Sequence, residues 1–112
     1  MDGDLSSRRC APCEGGVSPL TPSQIEELLA RVPGWRVDGN SIVREFSFKG
    51  YARTVAFVNA VVWIALTEDH HPEIAFGYKF CTIRYTTHAI GGLSENDFIC
   101  AAKINALWQA GT

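Results

Sequence analysis

Residues 70–88 read HHPEIAFGYKFCTIRYTTH, and their spacing decides the architecture. Ile74, Phe76 and Tyr78 recur at every second position, and Cys81, Ile83, Tyr85 and Thr87 do so again after a tight connection near Lys79. Two period-2 runs joined by a short link predict an antiparallel hairpin. The start of one strand then lies beside the end of the other. That brings His70 and His71, ahead of the first run, to the same end of the sheet as His88, which is expected to end the second.

Working outward, the stretch before this hairpin changes period. From Gly50 to about Thr67 the chain reads as a helix with a stripe of Tyr51, Val55, Val58, Val62, Ala65 and Leu66, widened by Phe57, Val61 and Ile64. A helix apolar on more than one side lies deep or meets another chain. Further upstream, Asp38-Gly39-Asn40 separates Trp35 and Val37 from an alternating run, Ile42 to Phe48, which predicts a first hairpin. Thr21-Pro22-Ser23-Gln24 is a capping box with proline at the first helical position. Ile25, Leu28, Leu29 and Val32 follow at helical spacing, and Pro33-Gly34 stops that helix. Downstream, Gly91-Gly92 breaks the strand, and Ser94-Glu95-Asn96-Asp97 caps a last helix with Asp97 as the box partner. Phe98, Ala101, Ala102 and Leu107 or Trp108 form its inner face. The order α-β-β-α-β-β-α predicts an α+β two-layer domain, a four-stranded antiparallel sheet with helices on one face. Residues 1–19 show no apolar period and read as a disordered or loosely attached tail, leaving 20–112 as the domain.

Composition narrows the function classes. The 112 residues suffice for one domain, and 46% hydrophobic against 20% charged residues is a globular balance. Ten basic and twelve acidic side chains give a net charge of −2, so overall charge points neither to nucleic acid nor to an anionic membrane. The longest apolar stretch, from Thr54 to Thr67, falls short of the ~20 residues that span a bilayer. No apolar segment follows the polar N-terminus as a secretory signal would require. A cytoplasmic location is expected, compatible with a nuclear presence, with Cys10, Cys13, Cys81 and Cys100 as reduced thiols. Cys10-Ala11-Pro12-Cys13 is a CxxC, but it sits in the tail rather than on a strand-to-helix turn.

The convergent histidines carry the chemistry. Imidazole holds or releases a proton near neutral pH, so His70, His71 and His88 at one sheet end suit acid–base work. A metal centre is the rival reading, yet adjacent rings diverge from a backbone that Pro72 holds extended, and no HxH or HExxH spacing is present. Asp69 is placed to hold a ring tautomer or a polar substrate edge. Glu68 and Glu73 read first as solvated charges at element ends. Asp97 has both a capping role and reach to the site, and Thr86 and Thr87 can offer hydroxyls beside His88.

These residues resemble a known family. Asp69-His70-His71-Pro72, Tyr78, Thr86-Thr87-His88 and Gly91-Gly92-Leu93-Ser94-Glu95-Asn96-Asp97 are similar to the signature of the pterin-4a-carbinolamine dehydratases, with Trp35 and the Phe46/Phe48 pair matching its first half. The resemblance runs from about Leu20 to the C-terminus. It departs at Leu66, four residues before His70, where the family usually carries an ionisable residue. It implies a hydro-lyase that dehydrates 4a-hydroxytetrahydrobiopterin to quinonoid dihydropterin in tetrahydrobiopterin recycling, without metal, nucleotide or redox cofactor. It implies His70, His71 and His88 as catalytic residues. Glu68, Asp69, Pro72, Thr86, Thr87, Ala89 and Asp97 are implied to bind the pterin. It also implies a homodimer or homotetramer formed through helices, with no direct nucleic-acid or membrane contact. The alternative it carries is a helix-mediated binding module, a dimerisation cofactor or coactivator of a transcription factor.

Overall fold

The structure, a computed structural model, describes residues 4–12 and 17–111. The first helix, α1 (Pro22–Leu29), starts where its cap dictates. Thr21 Oγ1 accepts from the Gln24 N–H, and Gln24 Oε1 accepts from the Thr21 N–H. Two groups left orphaned at the helix start are thereby paired. Strands β1 (Arg36–Asp38) and β2 (Ser41–Ser47) pair antiparallel with Asp38 opposite Ser41, so Gly39-Asn40 is a two-residue turn. Gly39 has φ 61°, the left-handed value such a turn needs.

Helix α2 (Tyr51–Glu68) leads to β3 (Glu73–Phe76) and β4 (Phe80–Tyr85), and α3 (Glu95–Ala110) closes the chain. The sheet order is β1-β2-β4-β3, every pair antiparallel. This is the expected α+β order. Ile42, Phe46, Cys81, Ile83 and Tyr85 of the sheet join Phe57 and Val61 of α2 and Phe98 and Ile104 of α3 in one core. The opposite sheet face is mostly polar, with Val43 buried on it. There Arg84 pairs with Asp38 at 2.8 Å and Thr82 donates to Glu45 at 3.2 Å. No helix among the described residues is long and apolar enough to cross a membrane.

Three local readings need correction. On α2 the core takes Thr54, Phe57, Val58, Val61 and Ala65, whereas Tyr51, Val62 and Leu66 of the expected stripe are exposed together with Trp63. An apolar helix with no polar side has no unique inner stripe, and the position of the sheet selects one. His88 does not end a strand. β4 stops at Tyr85, Thr87 bridges to Gly92, and His88–Ile90 is a 3-10 turn closed by Gly91 at φ 68°. Tyr78, expected on the third strand, lies exposed in the β3–β4 turn.

A fourth correction concerns the N-terminus. Of the tail expected to be loose, residues 4–12 lie against α3 and the end of α2. Leu5, 2% exposed, joins the core, and Lys103 donates to the Ser6 carbonyl at 2.8 Å. Glu68 accepts from the Cys10 N–H at 2.8 Å and pairs with Arg9 at 3.1 Å, and Asn96 makes two hydrogen bonds to the Ala11 backbone. A sequence without periodicity gives no sign of such docking, because single buried anchors and side-chain-to-backbone bonds leave no repeating pattern. Cys13 lies outside the described residues, so the CxxC as a pair does too.

Phe46 ties the layers together. Its ring centroid lies 4.8 Å from that of Phe57 and 5.2 Å from that of Trp108, under the Arg44 guanidinium. Phe46→Ala is expected to lower unfolding free energy by about 3–5 kcal/mol, the usual cost of emptying a buried aromatic site. Urea unfolding measures this, and a loss below about 1 kcal/mol would show that the layers do not depend on this contact.

Candidate active site

Helix α2 ends abruptly at Asp69, whose φ of 54° and ψ of 45° are left-handed. Aspartate tolerates that conformation better than most residues. The N–H groups of Asp69 and His70 both return to the Ala65 carbonyl, which closes the helix and turns the chain toward the sheet. His70 then stacks on Tyr85 at the end of β4, with ring centroids 5.2 Å apart and planes 11° from parallel. Because Glu73 pairs with Arg84, the start of β3 lies beside the end of β4. The hairpin geometry therefore brings the three histidines together, as expected.

They line one pocket of about 420 Å³, within the range of small-molecule sites. Glu68, Asp69, His70 and His71 come from the end of α2 and its link, and Thr86, Thr87, His88 and Ala89 from the segment after β4. Asn96 and Cys10, Ala11 and Pro12 complete the wall, and sequence reasoning missed all four. Of the other expected site residues, Pro72 is half-buried outside the lining and sets the path of His71, and Asp97 lies beneath it. Leu66 is exposed on α2 and does not line the pocket. A larger groove of about 620 Å³, between Phe48, Arg53, Phe57 and Trp108, contains no histidine.

The polar centre is Asp97, fully buried. A buried carboxylate must be paired and hydrogen-bonded to be tolerated. Asp97 Oδ1 accepts from His70 Nε2 at 2.6 Å. Its Oδ2 accepts from the Thr87 hydroxyl and from the Ser94 N–H, both at 2.9 Å. The Ser94 hydroxyl lies 2.7 Å from Thr87 Oγ1, whose proton is committed to Asp97, so Ser94 donates there. The capping acid of α3 is thus also the partner of a site histidine, and the two roles considered for it coexist.

A carboxylate only accepts, so Nε2 of His70 carries the proton and Nδ1 is left outside the pair. Burial pulls the His70 pKa down, but the hydrogen bond and charge of Asp97 outweigh it and leave it raised. Glu68 is not the solvated charge its position suggested. Its side chain is 5% exposed, and the Cys10 N–H, Lys103 and Arg9 overcome the cost of burial and hold its pKa down. Among the described residues, no group of three or more His, Cys, Asp or Glu side chains is arranged to hold a metal ion.

A raised histidine pKa has a defined linkage. The His70–Asp97 attraction contributes fully below the unfolded histidine value of about 6.5 and is lost as pH rises through the folded value. In NMR titration His70 is expected to ionise above about 6.5, and Asp97→Asn to move that midpoint downward. The melting-temperature gap between the two proteins should be widest below about pH 6.5 and narrow as pH rises above it. An unmoved midpoint in the variant would remove Asp97 as the cause.

Comparison with known proteins places the chain in a family. The family model described as pterin 4 alpha carbinolamine dehydratase matches residues 18–107. A Nitrosospira multiformis protein that bears the name pterin-4-alpha-carbinolamine dehydratase provisionally is 58% identical over 106 residues, 95% of this chain and 94% of that one. A solved Brucella melitensis protein, described as a transcriptional coactivator/pterin dehydratase, is 35% identical with a TM-score of 0.76, over 80% of this chain and 98% of its own. A pterin dehydratase-like protein identified as a RuBisCO assembly factor in the alpha-carboxysome is 30% identical with a TM-score of 0.57, over 66% of this chain and 88% of its own. Sequence, fold and pocket therefore lead to one assignment: the chain belongs to the pterin-4-alpha-carbinolamine dehydratase family.

Proposed function

We propose that this protein is a hydro-lyase that dehydrates 4a-hydroxytetrahydrobiopterin to quinonoid dihydropterin and water, as a step of tetrahydrobiopterin recycling. The observation that carries the reading is the joint presence of His70, His71 and His88 in one pocket, with His70 fixed by a buried carboxylate. Loss of water across C4a and N5 needs one proton delivered to the leaving hydroxyl and one removed from N5. The two transfers cancel, so an acid and a base suffice and no other cofactor enters.

His70 and His88 form the acid–base pair in this reading. Asp97 favours the imidazolium form of His70, which suits it to protonate the leaving hydroxyl through Nδ1. His88, on an exposed 3-10 turn across the pocket, takes the N5 proton. His71 orients the pterin. Asp69, Thr86 and the Ala89 backbone contact its polar edges, Pro72 positions His71, and Thr87 and Asp97 act through His70. Glu68 contributes by holding the wall at Cys10, since its oxygens are already engaged. The exposed Val62, Trp63 and Leu66 on α2 support assembly into a homodimer or homotetramer in the cytoplasm.

A second reading, a helix-mediated coactivator or assembly role, is favoured by the descriptions of the two solved relatives and by that same α2 face. A pterin-competitive ligand would leave such binding untouched.

The decisive experiment follows the loss of 4a-hydroxytetrahydropterin. The protein should accelerate it, and chelator should change nothing. His88→Ala should lower turnover more than tenfold without altering the melt, because an exposed side chain fills no core volume. His70 is stacked and paired, with a side chain 12% exposed, so His70→Gln is the informative variant. It too should lose more than tenfold, and the double variant should lose less than the product of the two. His71→Ala should raise KM more than it lowers kcat. Unchanged turnover in both single variants would end the acid–base assignment.

A further inference from the structure

The N-terminal wall of the pocket carries a feature that dehydration does not use. Cys10 Sγ lies 3.5 Å from Cys100 Sγ, the first sulfur half-buried in the wall and the second buried on α3. Ninety positions apart in the chain, the two thiols meet because Glu68 holds the Cys10 N–H and Asn96 holds both backbone groups of Ala11. Below them the Tyr85 hydroxyl, buried, faces the Cys100 sulfur without a well-directed hydrogen-bond partner among the described residues.

We propose that Cys10 and Cys100 are a redox modification site, whose disulfide fastens the Cys10–Pro12 wall of the pocket covalently to α3. A disulfide needs the sulfurs at about 2.0 Å, so a shift of about 1.5 Å closes the bond. The wall is the partner able to move, because it is held by a few hydrogen bonds whereas Cys100 sits within a packed helix. One thiolate of the pair takes an oxygen from hydrogen peroxide, the O–O bond breaks, and the hydroxide released takes up the proton that thiol had lost and leaves as the first water. The second sulfur then attacks the sulfenic sulfur, the S–O bond breaks, and the second water leaves. Two thiols lose two electrons, one peroxide gains them, and a small thiol reverses the bond by exchange. The Cys10 S–H donated to Cys100 lowers the Cys100 pKa, burial opposes this, and the Tyr85 hydroxyl and His70 charge assist. Cys10, which lines the pocket, is the sulfur a peroxide reaches, because Cys100 is fully buried. Cys13 belongs to the same CxxC and competes for Cys10, so the assignment must be made without it.

The test oxidises the full-length Cys13→Ser protein with hydrogen peroxide, alkylates it and maps tryptic peptides without reductant. A linked pair of residues 10–31 and 85–103 should appear, should revert with dithiothreitol and should be missing in Cys10→Ser,Cys13→Ser. Hydrogen exchange of the Cys10 and Ala11 amides should slow at least tenfold in the oxidised form. No linked pair in Cys13→Ser, with Cys10 ending as sulfinic acid instead, would overturn the proposal. A linked pair with unchanged exchange would overturn the claim that the bond fastens the wall. In the protein retaining all four cysteines, exclusive Cys10–Cys13 pairing would equally contradict it.

Discussion

A buried carboxylate organises this molecule. Asp97 sits where the first turn of α3, the segment after β4 and the end of α2 meet, and it engages one group from each: the Ser94 N–H, the Thr87 hydroxyl and the His70 ring. An unpaired charge there would be costly, and removing one partner of such a buried pair typically costs about 3–5 kcal/mol. Each neighbour is thus held in place by a requirement of the fold. The same requirement sets the orientation of His70 and which of its nitrogens is available. Cap, strand end and imidazole form a single arrangement.

Around that centre the layers divide the work. The sheet end supplies Tyr85 as a flat support for the His70 ring, and the left-handed Asp69 turns the chain so that the ring can reach it. The 3-10 turn at His88–Ile90 carries the opposing histidine on a segment closed by Gly91 and tied by the Thr87–Gly92 bridge. Glu68 and Asn96 hold a separate piece of chain as the remaining wall. The site is therefore assembled from rigid element ends and one strapped segment. The proposed acid–base pair differs correspondingly: His70 is half-buried and paired, and His88 is exposed.

Much of this could be read in the sequence, for physical reasons. The capping boxes at Thr21 and Ser94, the Gly39-Asn40 turn and the period-2 runs around Ile83 are local signals, and local rules govern them. Convergence of the histidines followed because antiparallel pairing makes the two ends of a hairpin neighbours. Other features were not local. The inner face of α2 was ambiguous because Val62 and Val61 are equally apolar, and only the sheet distinguishes them. Residues 4–12 carry their anchors singly, as Leu5, Arg9 and Cys10, so no period betrays their docking. Glu68 looked like a surface charge because its partners lie 35 and 58 positions away, at Lys103 and Cys10. The polar network at Asp97 was half visible, its capping bond local and its bond to His70 dependent on three-dimensional closure.

The central claim is that Asp97 fixes His70 with its proton on Nε2 and leaves Nδ1 to act. Nitrogen-15 NMR of the imidazole tests this directly, at a pH above the His70 midpoint where the ring is neutral. The account predicts the Nε2–H tautomer, with a proton resonance displaced strongly downfield by the short bond to the carboxylate. A dominant Nδ1–H tautomer, or rapid exchange between the two, would contradict it.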